Sequence, residues 1–387
     1  MGVERTLPTP EAADLLELVR DLVDKEVRPR AARGEEDAAF PRDLFTLLGD
    51  SGLLSLPYPG EYGGGDQPYE VYLQVVEELA AGWLAVGLGL SVHTLACYPV
   101  ASFGTAEQKE RLLPDMLGGR LLGAYCLSEA HSGSDAAALS TRAAKTGAGY
   151  RIDGAKSWIT HGGVADFYTL FARTGAPGSG ANGIGCLHVP AATPGVAADA
   201  PERKMGMSAS PTAAVRFDGA EVGADALVGE VDKGFAIALS ALDSGRLGIA
   251  ACAVGVARAA LDAAVAYAAE RSQFGRPIIE HQGLSFLLAD MATQVEAARE
   301  LYLAAARRRD AGRPFAKQAA MAKLFATDTA MKTATDAVQV LGGSGYTRDF
   351  PVERFMREAK VLQIVEGTNQ IQRMVIGRHL AREERAG

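Results

Sequence analysis

An apolar residue recurs at alternating intervals of four and three residues across one long stretch of the C-terminal half. The positions are Leu284, Leu288, Met291, Val295, Ala298, Tyr302 and Ala305. This spacing keeps an apolar stripe on one side of an α-helix, which is the seam by which helices pack in a bundle. The sequence is alanine-rich from Lys233 onward, with breaks near Gly275, Gly312 and Gly342–Gly343. We therefore predict a C-terminal four-helix bundle domain over residues 232–387.

The N-terminal part is also predicted to be helical. Thr9 and Pro10 form a helix start signal, and Thr105 with Gln108 matches a capping box. The apolar stretch from Trp83 to Phe103 contains polar residues and a proline, which favours a buried helix over a membrane span. Residues 1–121 are predicted to form an all-α domain.

The residue pattern changes between the two helical parts, over residues 122–231. Short runs rich in β-branched and aromatic residues alternate with turn residues, which is typical of strands. Asp153–Gly154 is a hairpin signal between two such runs. The predicted fold class is therefore α+β, with an N-terminal helical domain, a middle β-barrel-like domain and the C-terminal bundle.

Charge and cysteine usage restrict the class of protein. The net charge of −8 gives no electrostatic footprint for nucleic acid. The four cysteines form no CxxC pair, so the sequence indicates neither a zinc site nor a disulfide framework. A reducing, cytoplasmic location is expected, with no membrane association.

Several cofactor fingerprints are absent from the sequence. Gly147-Ala148-Gly149 lacks the third glycine of a dinucleotide-binding motif, and no GxxxxGK[ST] phosphate loop occurs. The helical half lacks the paired ExxH motifs of a di-iron bundle. A redox cofactor would therefore bind by another route, and no metal is expected.

One carboxylate stands where two helical patterns meet. Glu366 follows Val365 and precedes Gly367, which permits a sharp turn, and Thr368, which is able to cap the next helix. A desolvated carboxylate has a raised pKa and acts as a stronger base. The alternative is a solvated loop glutamate, and this segment alone favours that alternative.

Eight segments in order change that balance. They are PYPGEYGGG (57–65), YCLSEAHSGSD (125–135), GAKSWITHG (154–162), RKMGMSASPT (203–212), LDSGRLGIAA (242–251), ERSQFGRPIIEHQ (270–282), VQVLGGSGY (338–346) and VEGTNQIQR (365–373). Together they resemble the acyl-CoA dehydrogenase family of the short- or medium-chain type, nearly from end to end. Enzymes of this family use a flavin to desaturate acyl-CoA thioesters.

The resemblance implies FAD as the cofactor and assigns two central segments to its flavin ring. The residues are Tyr125, Cys126, Leu127, Ser128, Ser134, Trp158, Ile159 and Thr160. Ser128 is expected to bond the pyrimidine side of the ring, Trp158 to pack against it and Thr160 to bond N5. From the segments alone, a serine-rich turn and an ordinary core tryptophan remain the alternatives.

A second group of residues is assigned to the rest of FAD. These are Arg271, Ser272, Gln273, Phe274, His281, Gln282, Gln339, Gly342, Gly343, Thr368, Asn369 and Gln370. We interpret Arg271–Gln273 as the end of a helix, with Phe274 stacking on adenine and Arg271 pairing with pyrophosphate. In the family these reach the FAD of a neighbouring subunit, which implies a homo-oligomer, either a tetramer or a dimer. A helix C-terminal arginine and a glycine C-cap are the alternatives.

The resemblance also implies the substrate contacts and the chemistry. Ser134, Asp243, Ser244, Gly245, Arg246 and Gly367 are expected to contact the acyl-CoA. A surface ion pair is the alternative for Arg246. Glu366 is expected to remove the α-proton while flavin N5 accepts the β-hydride, giving the trans-2-enoyl-CoA. Some members carry this base at the position of Gly245, which has no side chain here.

Two rival functions remain open at this point, and so does the question whether CoA or a carrier protein holds the acyl group that is dehydrogenated. The first rival is an acyl-CoA oxidase, which passes the electrons to oxygen. The second is a non-catalytic flavin-binding scaffold. Electron-transfer flavoprotein is the expected electron acceptor.

The sequence departs from the family pattern at Ala130, His131, His161 and Val365. The first three are expected to alter flavin contacts or loop stiffness. Valine stands at 365 where a tyrosine is common, so the acyl chain length does not follow from the sequence.

Overall fold

The computed structural model describes residues 5–176 and 179–386, and its N-terminal part is helical. The helices are α1 (Pro10–Leu22), α2 (Arg28–Glu36), α3 (Arg42–Asp50), α4 (Tyr69–Gly82), α5 (Leu84–Phe103) and α6 (Ala106–Leu117), with a π-helical segment Val23–Val27 between α1 and α2. Thr9 caps α1 by accepting the N–H of Ala12 at 3.2 Å. Thr105 and Gln108 form both bonds of a capping box at α6. Both predicted helix starts are confirmed.

Eight strands of the middle part form one sheet within the described residues. They are β1 (Gly123–Cys126), β2 (Arg142–Lys145), β3 (Gly149–Thr160), β4 (Phe167–Arg173), β5 (Ile184–Pro190), β6 (Val196–Ala198), β7 (Thr212–Gly223) and β8 (Leu227–Val228). The order is β6-β7-β3-β2-β4-β5-β8, and β1 pairs with β4 in parallel. The strand that leads into the first predicted flavin segment is thus anchored on the centre of the sheet.

The hairpin predicted at Asp153–Gly154 is wrong. Strand β3 runs through this dipeptide, and Gly154 has a φ of 142° at an irregularity in the pairing with β7. A Cβ at Gly154 would lie 2.8 Å from the Cα of Thr141, so glycine permits a close approach here rather than a turn. The chain turns earlier, where the N–H of Thr146 donates to the carbonyl of Gly149.

The C-terminal part is helical, as predicted. Its helices are α7 (Gly234–Glu270), α8 (Gln282–Asp310), α9 (Ala316–Leu341), α10 (Val352–Leu362) and α11 (Asn369–Ala386), with a short hairpin of β9 (Ser272–Gln273) and β10 (Arg276–Pro277) between α7 and α8. The apolar seam lies on α8 and is buried from Leu288 to Ala305, with Leu284 packed against its edge. The described part of residues 232–387 contains five helices rather than four, because the predicted break at Glu366 adds a helix to those separated by the three glycine breaks. The fold class is confirmed.

Among the described residues, two helices, α5 and α7, are long and apolar enough to cross a membrane. The protein buries 89% of the apolar window of α5 and 78% of that of α7. The buried helix predicted for Trp83–Phe103 is therefore confirmed.

A buried charge cluster joins α4 to the bundle. We call it the α4 charge cluster, and it consists of Arg5, Glu77, Glu78, Arg258, Arg299 and Tyr302. Glu77 is fully buried and accepts hydrogen bonds from Arg299 at 3.0 Å and Tyr302 at 2.6 Å. Glu78 accepts from Arg258 at 2.6 Å. Because both carboxylates lie on α4 and the cations come from other segments, the cluster fixes α4 against α7 and α8.

Candidate active site

Glu366 lies in segment 363–368, which connects α10 to α11. Its φ is 52° and that of Gly367 is 88°, so the chain reverses here through two left-handed residues. A positive φ is uncommon for a residue other than glycine and marks strain at many functional sites. Thr368 caps α11 by accepting the N–H of Ile371 at 3.3 Å. The predicted helix break, sharp turn and cap are confirmed.

The carboxylate of Glu366 is removed from solvent. Both of its oxygens are buried, and neither has a hydrogen-bond partner within residues 5–176 and 179–386, although the residue as a whole is half-buried. Burial raises the pKa of Glu366 to about 7, and the charges of Lys323 and Arg246 oppose the rise. A group with a pKa near neutrality is suited to accept and release a proton.

Helix α7 passes the carboxylate at Gly245. A Cβ built on Gly245 would lie 2.1 Å from Oε2 of Glu366 and 3.2 Å from Cδ1 of Leu95. A side chain at 245 and the carboxylate of Glu366 would therefore occupy the same volume.

The substitution Gly245→Ala tests this close approach. The added methyl group is expected to displace the carboxylate and lower kcat about 100-fold, because misplacement by about 1 Å has an effect of that size. The flavin content is expected to stay normal. Gly147→Ala serves as the control, since a Cβ at Gly147 meets no atom within 4 Å. Wild-type turnover in Gly245→Ala would contradict the placement of Glu366 against α7.

A small cavity lies beside Gly245, between α4, α5 and α7. Its walls include Pro57, Tyr58, Tyr69, Leu95 and Tyr98. Its volume is about 10 Å³, which is room for about one water. The hydroxyl of Tyr69 donates to the carbonyl of Ser244 at 3.1 Å, and the guanidinium carbon of Arg309 lies 3.8 Å from the centre of its ring. The walls are thus fixed close to the carboxylate.

The two central segments assigned to the flavin lie side by side. The N–H of Ser157 donates to the carbonyl of Ser128 at 2.9 Å. Lys156 is fully buried and donates to the carbonyl of Leu127 at 3.0 Å and to Oε1 of Glu129 at 2.8 Å. The structure therefore brings together the residues that the resemblance assigned to one ring.

Some of these residues have side chains that point into the apolar interior. Cys126 and Ile159 belong to the core of the sheet, and Leu127 belongs to the core beneath α5. The hydroxyl of Tyr125 donates to the carbonyl of Ala238 at 3.1 Å. A cofactor would therefore meet Cys126, Leu127 and Ile159 through their main chain.

The remaining side chains of the two segments fit a flavin ring. Trp158 is 64% exposed and has a φ of 63°, so the strand presents its indole outward. Ser128 and Thr160 are half-buried, and Ser134 is exposed. A large exposed aromatic face beside hydroxyl groups matches a flat ring with polar edges.

The second group of predicted FAD residues is divided between the hairpin after α7 with its neighbours and the start of α11, where Thr368, Asn369 and Gln370 lie. The predicted helix end is confirmed at Arg271, which caps the C-terminus of α7, but it is wrong for Ser272 and Gln273, which pair with Arg276–Pro277 as a strand. Phe274 and Gly275 have φ values of 53° and 82°, which close a two-residue hairpin. Phe274 is 95% exposed at its tip.

The neighbours of this hairpin complete the group. Nε2 of His281 lies 3.1 Å from the carbonyl oxygen of Gln273. Tyr267, near the end of α7, donates to Ser344 at 3.2 Å, next to the turn at Gly342 and Gly343. Gln282, Gln339 and Gln370 are exposed. Gly342 has a φ of 61° and caps the C-terminus of α9, which agrees with the alternative that this glycine is a helix C-cap. In the described ranges no hydrogen bond or ion pair joins this hairpin to segment 363–368.

Two predicted contact residues are held by other side chains. Arg246 pairs with Asp243 at 2.5 Å within α7 and is 6% exposed, so the ion pair is present but buried rather than on the surface. Asn369 is buried, accepts from Lys323 at 2.9 Å and donates to Asp328 at 2.7 Å. Asn369 therefore anchors the start of α11.

The sequence prediction missed several supporting residues. Lys323 and Gln372 are fully buried and bond to the turn at Glu366–Gly367, and Lys156 with Glu129 holds the first flavin segment. A signal for Lys323 was present, because it stands within the buried alanine stripe of α9. That stripe is Ala319, Ala322, Ala326 and Ala330.

His161, which departs from the family sequence pattern, packs in the protein interior. Its ring is buried beside Phe40 and Phe45, and Nδ1 donates to the carbonyl of Gly123 at 2.9 Å, since a carbonyl only accepts. Burial lowers the pKa of His161 to about 4, so the ring is neutral. His161 thus stiffens the second flavin segment against β1.

Three family models match the chain in succession. They are the acyl-CoA dehydrogenase N-terminal domain over residues 9–120, the middle domain over 124–220 and the C-terminal domain over 232–381. A curated relative, the acyl-CoA dehydrogenase of Bacillus subtilis (strain 168), is 47% identical over 373 residues, which are 96% of this chain and 98% of the relative.

Solved structures are similar over the same length. The butyryl-CoA dehydrogenase of Megasphaera elsdenii has a TM-score of 0.95 and 40% identity, over 98% of this chain and 100% of that one. A chain described with the electron transferring flavoprotein of Acidaminococcus fermentans has a TM-score of 0.95 and 41% identity, over 98% and 100%.

Proposed function

Because the chain belongs to the acyl-CoA dehydrogenase family, and is thus a flavin-dependent oxidoreductase of acyl-CoA thioesters, we propose that Glu366 is the base of an α,β-dehydrogenation. The observation that carries this assignment is the pair of buried carboxylate oxygens beside Gly245, which have no hydrogen-bond partner among the described residues. A carboxylate so placed is desolvated and free to accept a proton from a bound thioester.

The chain's own residues account for the proton part of the reaction. The carboxylate of Glu366 removes the proton from the α-carbon, because its raised pKa makes the anion a stronger base. The N–H of Glu366 makes no hydrogen bond within the described residues, so it is free to donate to the thioester carbonyl and polarise it. FAD, when bound, supplies the acceptor for the hydride that leaves the β-carbon.

The proposed acyl group is short. The similarity to a butyryl-CoA dehydrogenase supports the same chain length.

We propose FAD as the flavin and a homo-oligomer as the assembly, which membership of the family supports. Trp158 with its neighbouring hydroxyl groups would hold the flavin ring, and the hairpin at Arg271–Phe274 would reach the FAD of a neighbouring subunit. Within the described residues no hydrogen bond or ion pair joins this hairpin to segment 363–368, and Phe274 is exposed, which supports a homo-oligomer with a tetramer as the expected form.

The finer properties complete the proposal. The domain boundaries are 1–121, 122–231 and 232–387, and the location is cytoplasmic, which the bacterial relatives support. Electron-transfer flavoprotein is the proposed electron acceptor, supported by the similarity to the Acidaminococcus fermentans chain.

Anaerobic mixing of the purified protein with acyl-CoAs of increasing length tests the function. Bleaching of the flavin band is expected, fastest with chains of a few carbons. Rapid recolouring by oxygen would identify an oxidase, and absence of bleaching with every thioester would indicate a scaffold. The same panel on a carrier protein separates the two thioester classes.

Arg271→Ala is expected to weaken FAD binding and the oligomer together. Loss of a charge-assisted hydrogen bond costs about 1.5–3 kcal/mol, which corresponds to an affinity about 10- to 100-fold lower. The flavin-to-protein absorbance ratio and sedimentation velocity measure the two effects. Arg276→Ala, on the other arm of the hairpin, is the control. Full flavin content in a dissociated Arg271→Ala protein would show that the two are independent.

A further inference from the structure

A buried lysine lies beneath the turn that carries Glu366. Lys323, on α9, is fully buried, and its ammonium group donates to the carbonyl of Gly367 at 3.0 Å and to Oδ1 of Asn369 at 2.9 Å. Lysine is almost never fully buried without a partner, because removing its charge from water is costly. Its two bonded partners here are uncharged, so a direct carboxylate contact does not compensate the charge.

The bonds of Lys323 hold the backbone conformation of the turn. The carbonyl of Gly367 also accepts from Nε2 of Gln372 at 2.8 Å, and the same nitrogen lies 3.3 Å from the carbonyl of Glu366. Successive carbonyls of the turn are therefore fixed toward α9 and α11. A strained left-handed glutamate persists only where its surroundings determine the conformation, and Lys323 and Gln372 provide that constraint.

The charge of Lys323 also reaches the Glu366 carboxylate. The titratable or charged groups that face this pair from the packed elements are Lys323 and Asp328 on α9, Arg246 and Cys252 on α7, Tyr69 on α4 and Tyr125 on β1. Arg246 is paired with Asp243 at 2.5 Å, whereas Asp328 is bonded to Asn369 and Gln363 and forms an ion pair with Arg373 at 3.3 Å. Of the two cations that act on Glu366 among the described residues, Lys323 is thus the one whose charge no bonded carboxylate offsets.

The direction of the electrostatic effect follows from the two groups. Burial raises the pKa of Glu366, and Lys323 is the larger of the two charges that oppose this rise. Burial lowers the pKa of Lys323 to about 8, with Glu366 and Asp328 opposing that change. At neutral pH the lysine is therefore mainly charged and favours the anion of Glu366.

We propose that Lys323 is a positioning residue that fixes the turn at Glu366–Gly367 and keeps the Glu366 carboxylate in its anionic, proton-accepting form. The inference rests on the role of Glu366 as the base. It extends that role by naming the group that sets the pH range in which the base works.

Lys323→Met tests both parts, because methionine keeps the apolar stem and removes the charge and the donors. The acid limb of kcat/KM in the holoenzyme is expected to move up by about one pH unit, since removing a nearby cation raises the pKa of a carboxyl. The rate at pH 6 is then expected to fall about tenfold and to recover substantially at pH 9. Lys332→Met is the matched control, because Lys332 lies on α9, is exposed and pairs with Asp336.

Lys323→Gln separates the charge from the hydrogen bond. Glutamine retains a donor for the carbonyl of Gly367, so this variant is expected to keep its flavin and its fold and still to show the displaced acid limb. It also decides the matter if Lys323→Met does not fold. An acid limb unchanged from wild type in folded, flavin-containing Lys323→Gln would overturn the proposal.

An infrared titration gives a readout that does not depend on turnover. The protonated carboxyl of Glu366 has a C=O band that is absent from Glu366→Gln, and its midpoint is expected to rise by the same amount in both Lys323 variants. If no acyl-CoA bleaches the wild-type flavin, the proposed dehydrogenation fails, but the titration still reports on the coupling. Equal midpoints in wild type and variants would refute the coupling itself.

Discussion

Glu366→Gln is expected to lower kcat by several orders of magnitude while the protein keeps its flavin and its oligomeric state. The amide has nearly the same shape as the carboxylate but does not accept the α-proton. Because both carboxylate oxygens have no hydrogen-bond partner within the described residues, the substitution breaks no contact there. Stopped-flow measurement of flavin bleaching by a short acyl-CoA isolates this step from later electron transfer.

Glu358→Gln is the matched control for this experiment. Glu358 lies on α10, is buried, and has a pKa that burial raises to about 8, so it is largely protonated at neutral pH. Its amide variant is expected to bleach at the wild-type rate. Turnover close to wild type in Glu366→Gln, or an equal loss in both variants, would contradict the assignment of Glu366 as the base.

Glu77→Gln is expected to lower the free energy of unfolding by about 3–5 kcal/mol, since it removes the anion from a buried set of arginines. Glu77 accepts from Arg299 at 3.0 Å and from Arg5 at 2.9 Å, in the α4 charge cluster. Glu296→Gln is the control, because Glu296 also pairs with Arg299 but its side chain is 60% exposed. That control is expected to cost less than about 1 kcal/mol.

The pH dependence of stability provides a second measurement on Glu77. Burial pushes the pKa of Glu77 upward, but Arg5, Arg299 and Arg258 outweigh burial and hold it well below the ordinary value of 4.5. The stabilisation by the anion is therefore complete above pH 4.5 and is lost as the pH falls further. Denaturant midpoints measured from pH 7 down to pH 3 are expected to fall less steeply in Glu77→Gln than in wild type. Parallel curves would contradict a depressed pKa.

Local sequence signals predicted local structure well. The capping box at Thr105 and Gln108, the cap at Thr368 and the left-handed Gly367 are confirmed. Each of these features depends on residues within a few positions of one another, so the local sequence is sufficient to predict it.

The wrong predictions of local structure fall at positions where tertiary contacts determine the backbone conformation. Asp153–Gly154 has turn chemistry, but the approach of Thr141 to Gly154 keeps the chain extended in β3. Ser272 and Gln273 were predicted to end a helix with Arg271, whereas they form a strand of the hairpin that Phe274–Gly275 closes. The alternative that prevails depends on which segment packs nearby, and a single sequence does not specify this.

The residues of the candidate site show the same difference between local signals and distant contacts. The adjacent apolar and glycine neighbours of Glu366 predicted the helix break, but Glu366 was assigned as the base only because eight segments in order resemble the family. Lys323 and Lys156 were missed because their partners lie 44 and 29 residues away, respectively, at Gly367 and Leu127. Buried lysines that bond to main-chain carbonyls of a distant loop leave little local signature.

The shared space at Gly245 and Glu366 limits how this site can change during evolution. A single substitution that adds a side chain at 245 collides with the existing carboxylate, and a single substitution that deletes Glu366 removes the base. Either one-step ancestor or descendant is expected to be impaired, so the two codons are under joint selection. Moving the base to α7 therefore requires paired changes, and the effect of a mutation at one position has a sign that depends on the residue at the other.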